Sequence, residues 1–385
     1  MKNFEFVNPV KIYFGKDQIS KLALELIPYK KIMLINGQGS IKSNGVYEQI
    51  KKALFDKEIV EFRGVEPNPV YETLMKAVEL ARKEKVDFLL AAGGGSVIDG
   101  TKFIAAAIKY EAGDPWNIVA KGEKISEAIK FGTVLTLPAT GSEMNNGAVI
   151  TRKSCNEKLA FGSPLLFPIF SILDPETMYS LPESQIVNGI VDAFVHVIEQ
   201  YLTFPMNAAV QDAWAVSLLN VLRLEGAKVL ENRYDYDANA NLMWAACMAL
   251  NGILTAGVYT DWSTHMIGHE ITALYGVDHA RTLAIVLPGV LNVMKEDKRE
   301  KLLHYAGNVL NIPTEDEEKA IFEAISKTEE FFKSLGIGVR LSDYNIPDSA
   351  IEVICEKLKA KNYTKLGEKR NICPDLVREI LFLRK

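Results

Sequence analysis

The order of segments along this chain predicts two domains, an α/β domain built on a parallel sheet and then an all-α domain. Three observations carry that expectation. Short apolar runs alternate with helical periodicity through roughly the first 175 residues. From about Pro182 onward nearly every segment reads as helix. The chain is 385 residues and 42.8 kDa long, enough for each half to bury its own core.

The elements follow in order. Residues 31–36 form an apolar run that stops at Gly37-Gln38-Gly39-Ser40, a strand followed by a turn. Residues 70–85 have helical periodicity. Residues 88–92 read as a buried strand running into Gly93-Gly94-Gly95, and residues 96–110 as the helix behind it. Residues 133–137 give another strand. Such alternation means βαβ units and a Rossmann-like parallel sheet with helices on both faces. The second half offers long helical stretches at 184–202, 211–230, 238–254 and 321–335, with a loop at 312–317. The character changes between about residues 175 and 183. The expected division is therefore 1–178, an α/β domain, and 179–385, a helical domain.

Composition narrows the class. Hydrophobic residues make up 48% and charged residues 24%, ordinary for a soluble globular protein. A net charge of −5 gives no basic face for nucleic acid. No apolar run reaches membrane-spanning length, and the first residues lack a signal-peptide core. The four cysteines are scattered without a CxxC pair and read as reduced thiols of a cytoplasmic protein.

Four of the five histidines fall in or just after two short stretches, Asp192-Ala-Phe-Val-His196 and His265-Met-Ile-Gly-His269, with His279 following. The i,i+4 spacing puts each pair on one helical face. The surroundings of Asp192 and His196 are apolar, so a carboxylate there needs a partner, and a divalent cation would satisfy both groups. His265–His269 lacks the Glu of the HExxH protease motif. His304 stands alone and reads as structural. Gly93-Gly94-Gly95-Ser96 opens a helix, where backbone N–H groups and the helix dipole suit a phosphate; Asp99 and Lys102 follow. A second polar turn, residues 138–147, follows the strand ending at Leu137, where ligands of open parallel sheets bind. Hydride transfer between a dinucleotide and a metal-polarised carbonyl is the simplest chemistry joining these features. The turn Gly37, Gln38, Gly39, Ser40 has no acid and has Lys42 close behind. It suits the 2′-phosphate of NADP(H), with NAD(H) as the alternative.

At these residues the chain resembles the iron-containing (group III) alcohol dehydrogenases, in particular their bacterial butanol dehydrogenase and NADPH-dependent aldehyde reductase branch. The resemblance spans essentially the whole chain. It runs from Phe6 to Gly15, through Gly93 to Lys102, the Thr140-Gly-Ser-Glu143 turn, Gly189 to His196 and His265 to Glu270, to Asp278-His279. It implies a dinucleotide-binding α/β domain and a helical metal domain, in the manner of dehydroquinate synthase, with the active site in the cleft between them. It implies Asp192, His196, His265 and His279 as ligands of Fe²⁺ or Zn²⁺, and His269 as a proton relay near the nicotinamide. Gly94, Gly95, Ser96 and Asp99 match pyrophosphate and ribose contacts; Asn68, Thr136, Thr140, Ser142 and Lys158 match further cofactor contacts. The implied activity interconverts short aliphatic aldehydes and primary alcohols, in a homodimer. A dehydroquinate synthase-like reaction on a sugar phosphate would need Lys and Arg near the metal residues, and only Arg281 is there. A scaffold keeping a structural metal is the other alternative.

Overall fold

The computed structural model describes residues 1–385. Its strands are β1 (Lys11–Phe14), β2 (Lys31–Asn36), β3 (Glu58–Arg63), β4 (Phe88–Gly94), β5 (Phe131–Leu137), β6 (Gly147–Arg152), β7 (Glu157–Gly162) and β8 (Phe170–Leu173). Its helices of eight or more residues are α1 (Val46–Ala53), α2 (Tyr71–Glu84), α3 (Gly95–Lys109), α4 (Glu183–Tyr201), α5 (Ala209–Glu231) and α6 (Tyr236–Ala249). They continue as α7 (Ser263–Tyr275), α8 (His279–Val293), α9 (Arg299–Val309), α10 (Glu317–Ser334), α11 (Ala350–Ala360) and α12 (Pro374–Phe382). No helix is long and apolar enough to cross a membrane.

Six strands form one parallel sheet in the order β1-β8-β5-β4-β2-β3, the architecture that the alternation predicts. Period-2 alternation explains its packing. Ile32 and Leu34, then Phe88, Leu90 and Ala92, point to one face, where Val46, Ile50 and Leu54 of α1 and its following turn cover them. Several strands escaped the sequence reading. β1, β3 and β8 are short or carry charge, and β6–β7 is an antiparallel hairpin outside the main sheet. No strand follows β8.

Two compact units partition the chain, and neither is contiguous. The α/β unit comprises Val7–Ile186 and also Glu225–Asn251. Within it, the N–H₂ of Asn145 donates to the Leu250 carbonyl at 3.1 Å, and Phe14 meets Trp244 edge-on. The helical unit comprises Met1–Phe6, Val187–Leu224 and Gly252–Lys385. Its core gathers Ile267 and Ile271 of α7, Ile285, Val286 and Val290 of α8, and apolar residues of α11 and α12. α8 carries Pro288 in its interior, and Arg384 bonds to the nearby Ile285 carbonyl at 2.9 Å. A proline costs a helix interior one N–H donor, so the carbonyls around it need partners of this kind.

Candidate active site

The α/β unit presents a phosphate-type site where β4 meets α3. Gly94 is the N-cap of α3, and no side chain caps that helix end. Its first-turn N–H groups therefore have no side-chain acceptor, which is the condition under which a helix N-terminus takes an anion. A Cβ on Gly95 would run into the Thr140 side chain, so the close approach of these two segments requires glycine. This end of α3 fits a pyrophosphate.

The expected cofactor residues cluster around it. The Asn68 N–H donates to Ser96 Oγ at 3.3 Å, and Lys158 Nζ donates to Asn68 Oδ1 at 2.9 Å. Asn68 holds a positive φ of 56°, which asparagine tolerates. Ser142 Oγ donates to Asp99 Oδ1 at 2.6 Å, and the Val149 N–H donates to Asp99 Oδ2 at 2.8 Å. Both oxygens of Asp99 thus hold the 142–149 segment against α3. Lys102, fully buried, donates to Ser142 Oγ, Asn145 Oδ1 and the Gly147 carbonyl at 2.7–2.9 Å. Burial pushes its pKa down to about 8, against the pull of Asp99 and Glu143. The Ser142 N–H reaches Thr140 Oγ1 at 3.2 Å, and Thr136 lies buried near the end of β5.

The turn after β2 holds Gly37, Gly39 and Ser40, and the structure adds a residue that sequence reasoning missed. Arg63, at the end of β3, pairs in register with Asn36, the last residue of β2. Its Nε donates to the Gln38 carbonyl at 3.2 Å, and its Nη2 reaches the same oxygen, so the guanidinium lies over Gly39. Lys42, the cation the sequence singled out, instead pairs with Glu61 at 3.6 Å. Only the parallel pairing of β2 with β3 brings Arg63 to this turn, and that pairing leaves no local signature.

The helical unit builds the second cluster. Asp192 and His196 stand one turn apart on α4, His265 and His269 one turn apart on α7, and His279 begins α8. One ligand atom each from Asp192, His265 and His279 lies within 4.8 Å of the others. Asp192 Oδ1 is 3.7 Å from His279 Nε2 and 3.8 Å from His196 Nε2. The His196 ring stacks on His265 at 4.7 Å. His269 is the neighbour of this set, its ring 5.0 Å from that of His279. His304 is elsewhere, against the Tyr201 hydroxyl.

Asp192 is 4% exposed, and its Oδ1 has no hydrogen-bond partner. A buried carboxylate oxygen left so costs several kcal/mol unless a cation takes it. Ligands about 2.1 Å from a shared cation stand roughly 3–4 Å apart, the spacing of the Asp192–His279 and Asp192–His196 pairs. The donor set, one carboxylate among imidazoles, fits Zn²⁺ or Fe²⁺. Glu199, two turns after Asp192 on the same face of α4, contacts Nδ1 of His265 through Oε2 and accepts the Thr264 N–H at 2.6 Å through Oε1. Sequence reasoning missed Glu199; its i+7 spacing from Asp192 is the local signal that could have found it.

An uncapped helix N-terminus on a parallel sheet and a carboxylate–imidazole cluster on helices fit the class of metal-dependent oxidoreductases that work with a dinucleotide. The family model for iron-containing alcohol dehydrogenase matches residues 9–175, and that for the C-terminal part of the Fe-containing alcohol dehydrogenase family matches residues 186–381. The chain belongs to the iron-containing alcohol dehydrogenase family. It is 50% identical to the NADPH-dependent aldehyde reductase YqhD of Escherichia coli, covering 99% of each chain. It is 40% identical to NADH-dependent butanol dehydrogenase B of Clostridium acetobutylicum, covering 100% of this chain and 99% of that one. Among solved structures, that of YqhD superposes with a TM-score of 0.98 at 48% identity, over 100% of this chain and 99% of that one. NADH-dependent butanol dehydrogenase A of Thermotoga maritima superposes with a TM-score of 0.96 at 36% identity, with the same coverage.

Proposed function

We propose that the protein is a metal-dependent aldehyde reductase that prefers NADPH and reduces short aliphatic aldehydes to primary alcohols. The observation that carries the metal chemistry is the buried Oδ1 of Asp192, which has no hydrogen bond and faces the His279 and His196 nitrogens. In this reading Asp192, His196, His265 and His279 hold Zn²⁺ or Fe²⁺. Gly94, Gly95 and Ser96 bind the pyrophosphate, and Asn68, Lys158, Thr136, Thr140 and Ser142 line the rest of the cofactor, Asp99 acting through Ser142. The dinucleotide residues in this reading lie within 1–178 and the metal residues within 179–385, while residues 225–251 belong to the α/β unit. The bound cation supplies Lewis acidity at a carbonyl oxygen, and the reduced nicotinamide supplies the hydride. The chain's own share is to desolvate and orient these groups and to deliver the proton. We assign that proton to a ring nitrogen of His269, whose ring stands beside the ligand set, 5.0 Å from that of His279.

His269→Ala is expected to keep stoichiometric metal and turn over about 10²-fold more slowly, the usual loss on removing a positioned acid. Metal analysis and steady-state kinetics on one sample check this. Loss of metal here, with retention in His279→Ala, would exchange the two roles.

The NADPH preference is supported by the turn at Gly37–Ser40, which has no acid and carries the Arg63 guanidinium bonded to Gln38. Gly37 has ordinary backbone, and a Cβ there meets only van der Waals contacts, at 3.5 Å or more. Gly37→Asp should therefore fold normally and repel a 2′-phosphate. We expect it to shift the NADPH-to-NADH ratio of kcat/KM toward NADH by roughly 10–100-fold, about 1.4–2.7 kcal/mol. Arg63→Ala should move the ratio the same way. A wild-type enzyme faster with NADH, or an unchanged ratio in folded Gly37→Asp, would defeat the assignment.

A homodimer and a cytoplasmic location belong to the same reading. The exposed edge strand β1, with Phe14 partly open, supports the first, and light scattering tests it. Four free thiols support the second.

A further inference from the structure

Glu199 touches the metal cluster and has no place in the chemistry above. It is 2% exposed. Its Oε2 faces Nδ1 of His265, and its Oε1 accepts the Thr264 N–H. Its own carbonyl accepts the Asp261 N–H at 2.8 Å. Asp261 Oδ1 accepts the Ser263 N–H at 2.9 Å. Two carboxylates therefore cap the first turn of α7, the turn that carries His265 at its third position. The N-cap residue, Trp262, holds φ at 67°, unusual for an aromatic side chain, so the entry to this helix is held by its surroundings.

A neutral imidazole has one N–H and one lone pair, and the partner of the first decides where the second points. A carboxylate against Nδ1 keeps the proton on Nδ1 and leaves Nε2 with the lone pair. We propose that Glu199 is the positioning residue of the metal centre, fixing the tautomer and ring plane of His265 so that Nε2 is the atom offered to the cation. The proposal rests on the metal reading above and extends it to a residue that touches neither cation nor substrate.

Glu199→Gln keeps the size of the side chain but splits its two roles. With the amide oxygen on the Thr264 N–H, the amide N–H₂ faces Nδ1 and favours the tautomer protonated on Nε2. With the amide turned over, the helix loses its cap. Either arrangement should weaken metal binding about 10–100-fold, as loss of a histidine's outer partner does elsewhere. Zinc dissociation constants, measured by competition with a chromogenic chelator on the full chain, read this without any assay of turnover. The set is wild type, Glu199→Gln, Glu199→Asp, His265→Ala and Glu199→Gln/His265→Ala. Melting of the metal-free forms runs beside it.

We expect the Gln variant to lose zinc affinity by that factor and the Asp variant, which keeps the charge, by less. In the His265→Ala background, Glu199→Gln should cost nothing further, because with the ring gone no tautomer remains to be set and the amide oxygen is free to keep the Thr264 N–H. Wild-type zinc affinity in Glu199→Gln would overturn the assignment, as would full additivity in the double variant. If the Gln variant does not fold, Glu199→Asp carries the same cycle with the same two outcomes. A wild-type chain that binds no stoichiometric zinc removes the metal reading itself, and this assignment with it.

Discussion

Asp192→Ala is expected to leave the purified protein without bound metal and with reductase activity lower by about three orders of magnitude. One ligand of four is lost, and with it the several kcal/mol that a Lewis acid contributes to the developing charge. Stability distinguishes this from ordinary misfolding. Asp192 Oδ1 is a buried acceptor with no hydrogen bond. Replacing it with a methyl group removes a desolvated charge, so the metal-free variant should melt no lower than the metal-free wild type. His196→Ala should lose metal in the same way. Elemental analysis and thermal melts on matched metal-free and metal-loaded samples check both. Stoichiometric metal in the two variants would sink the ligand assignment.

The second large effect concerns folding. Lys298 is nearly fully buried, and its Nζ reaches the Leu202 carbonyl at 2.7 Å, Asp261 Oδ2 at 2.9 Å and both oxygens of Glu368 at 3.0 Å. Burial alone would lower its pKa. Asp261 and Glu368 outweigh that and hold its pKa above the ordinary lysine value. Lys298→Met leaves two buried carboxylates without a counter-charge, and such a break costs about 3–5 kcal/mol. Urea denaturation should show that loss. Adding Asp261→Asn and Glu368→Gln to Lys298→Met should restore part of it, since the penalty lies in the stranded charges. A loss under about 1 kcal/mol in Lys298→Met would show that water or a rearrangement compensates them.

How much of this was legible beforehand follows from the range of the interactions. β4 and α3 could be read because a buried apolar run, three glycines and a helical repeat are local and adjacent. The fold class followed from such local signals repeated along the chain. β3 could not be read in the same way. Its sequence, Glu-Ile-Val-Glu-Phe-Arg, mixes charge into a half-exposed strand, and its position depends on pairing with β2. The hairpin β6–β7 left one trace, Asn156 in the left-handed region at its turn, φ 51°. At the metal cluster, i,i+4 spacing revealed each helix's contribution. That α4, α7 and the start of α8 converge is a matter of helix packing. The Asp261–Lys298–Glu368 network joins residues 37 and 70 positions apart, as their numbers show, and nothing in either neighbourhood announces the partner.

The interrupted path of the α/β unit bears on how the protein is made. Chain emerging from a ribosome folds from its N-terminus, yet this unit is incomplete until Glu225–Asn251 has been synthesised. The loop that carries Ser142 is braced through Asn145 to Leu250. From Leu173, where the last sheet strand ends, to Ala249, where α6 ends, 76 residues of elongation would leave the nascent sheet without α6 and the Ser142 loop unbraced. A fragment ending near residue 178 would keep every strand and still lack that brace. The natural boundary for cutting this enzyme in two is therefore not the point where its sequence changes character.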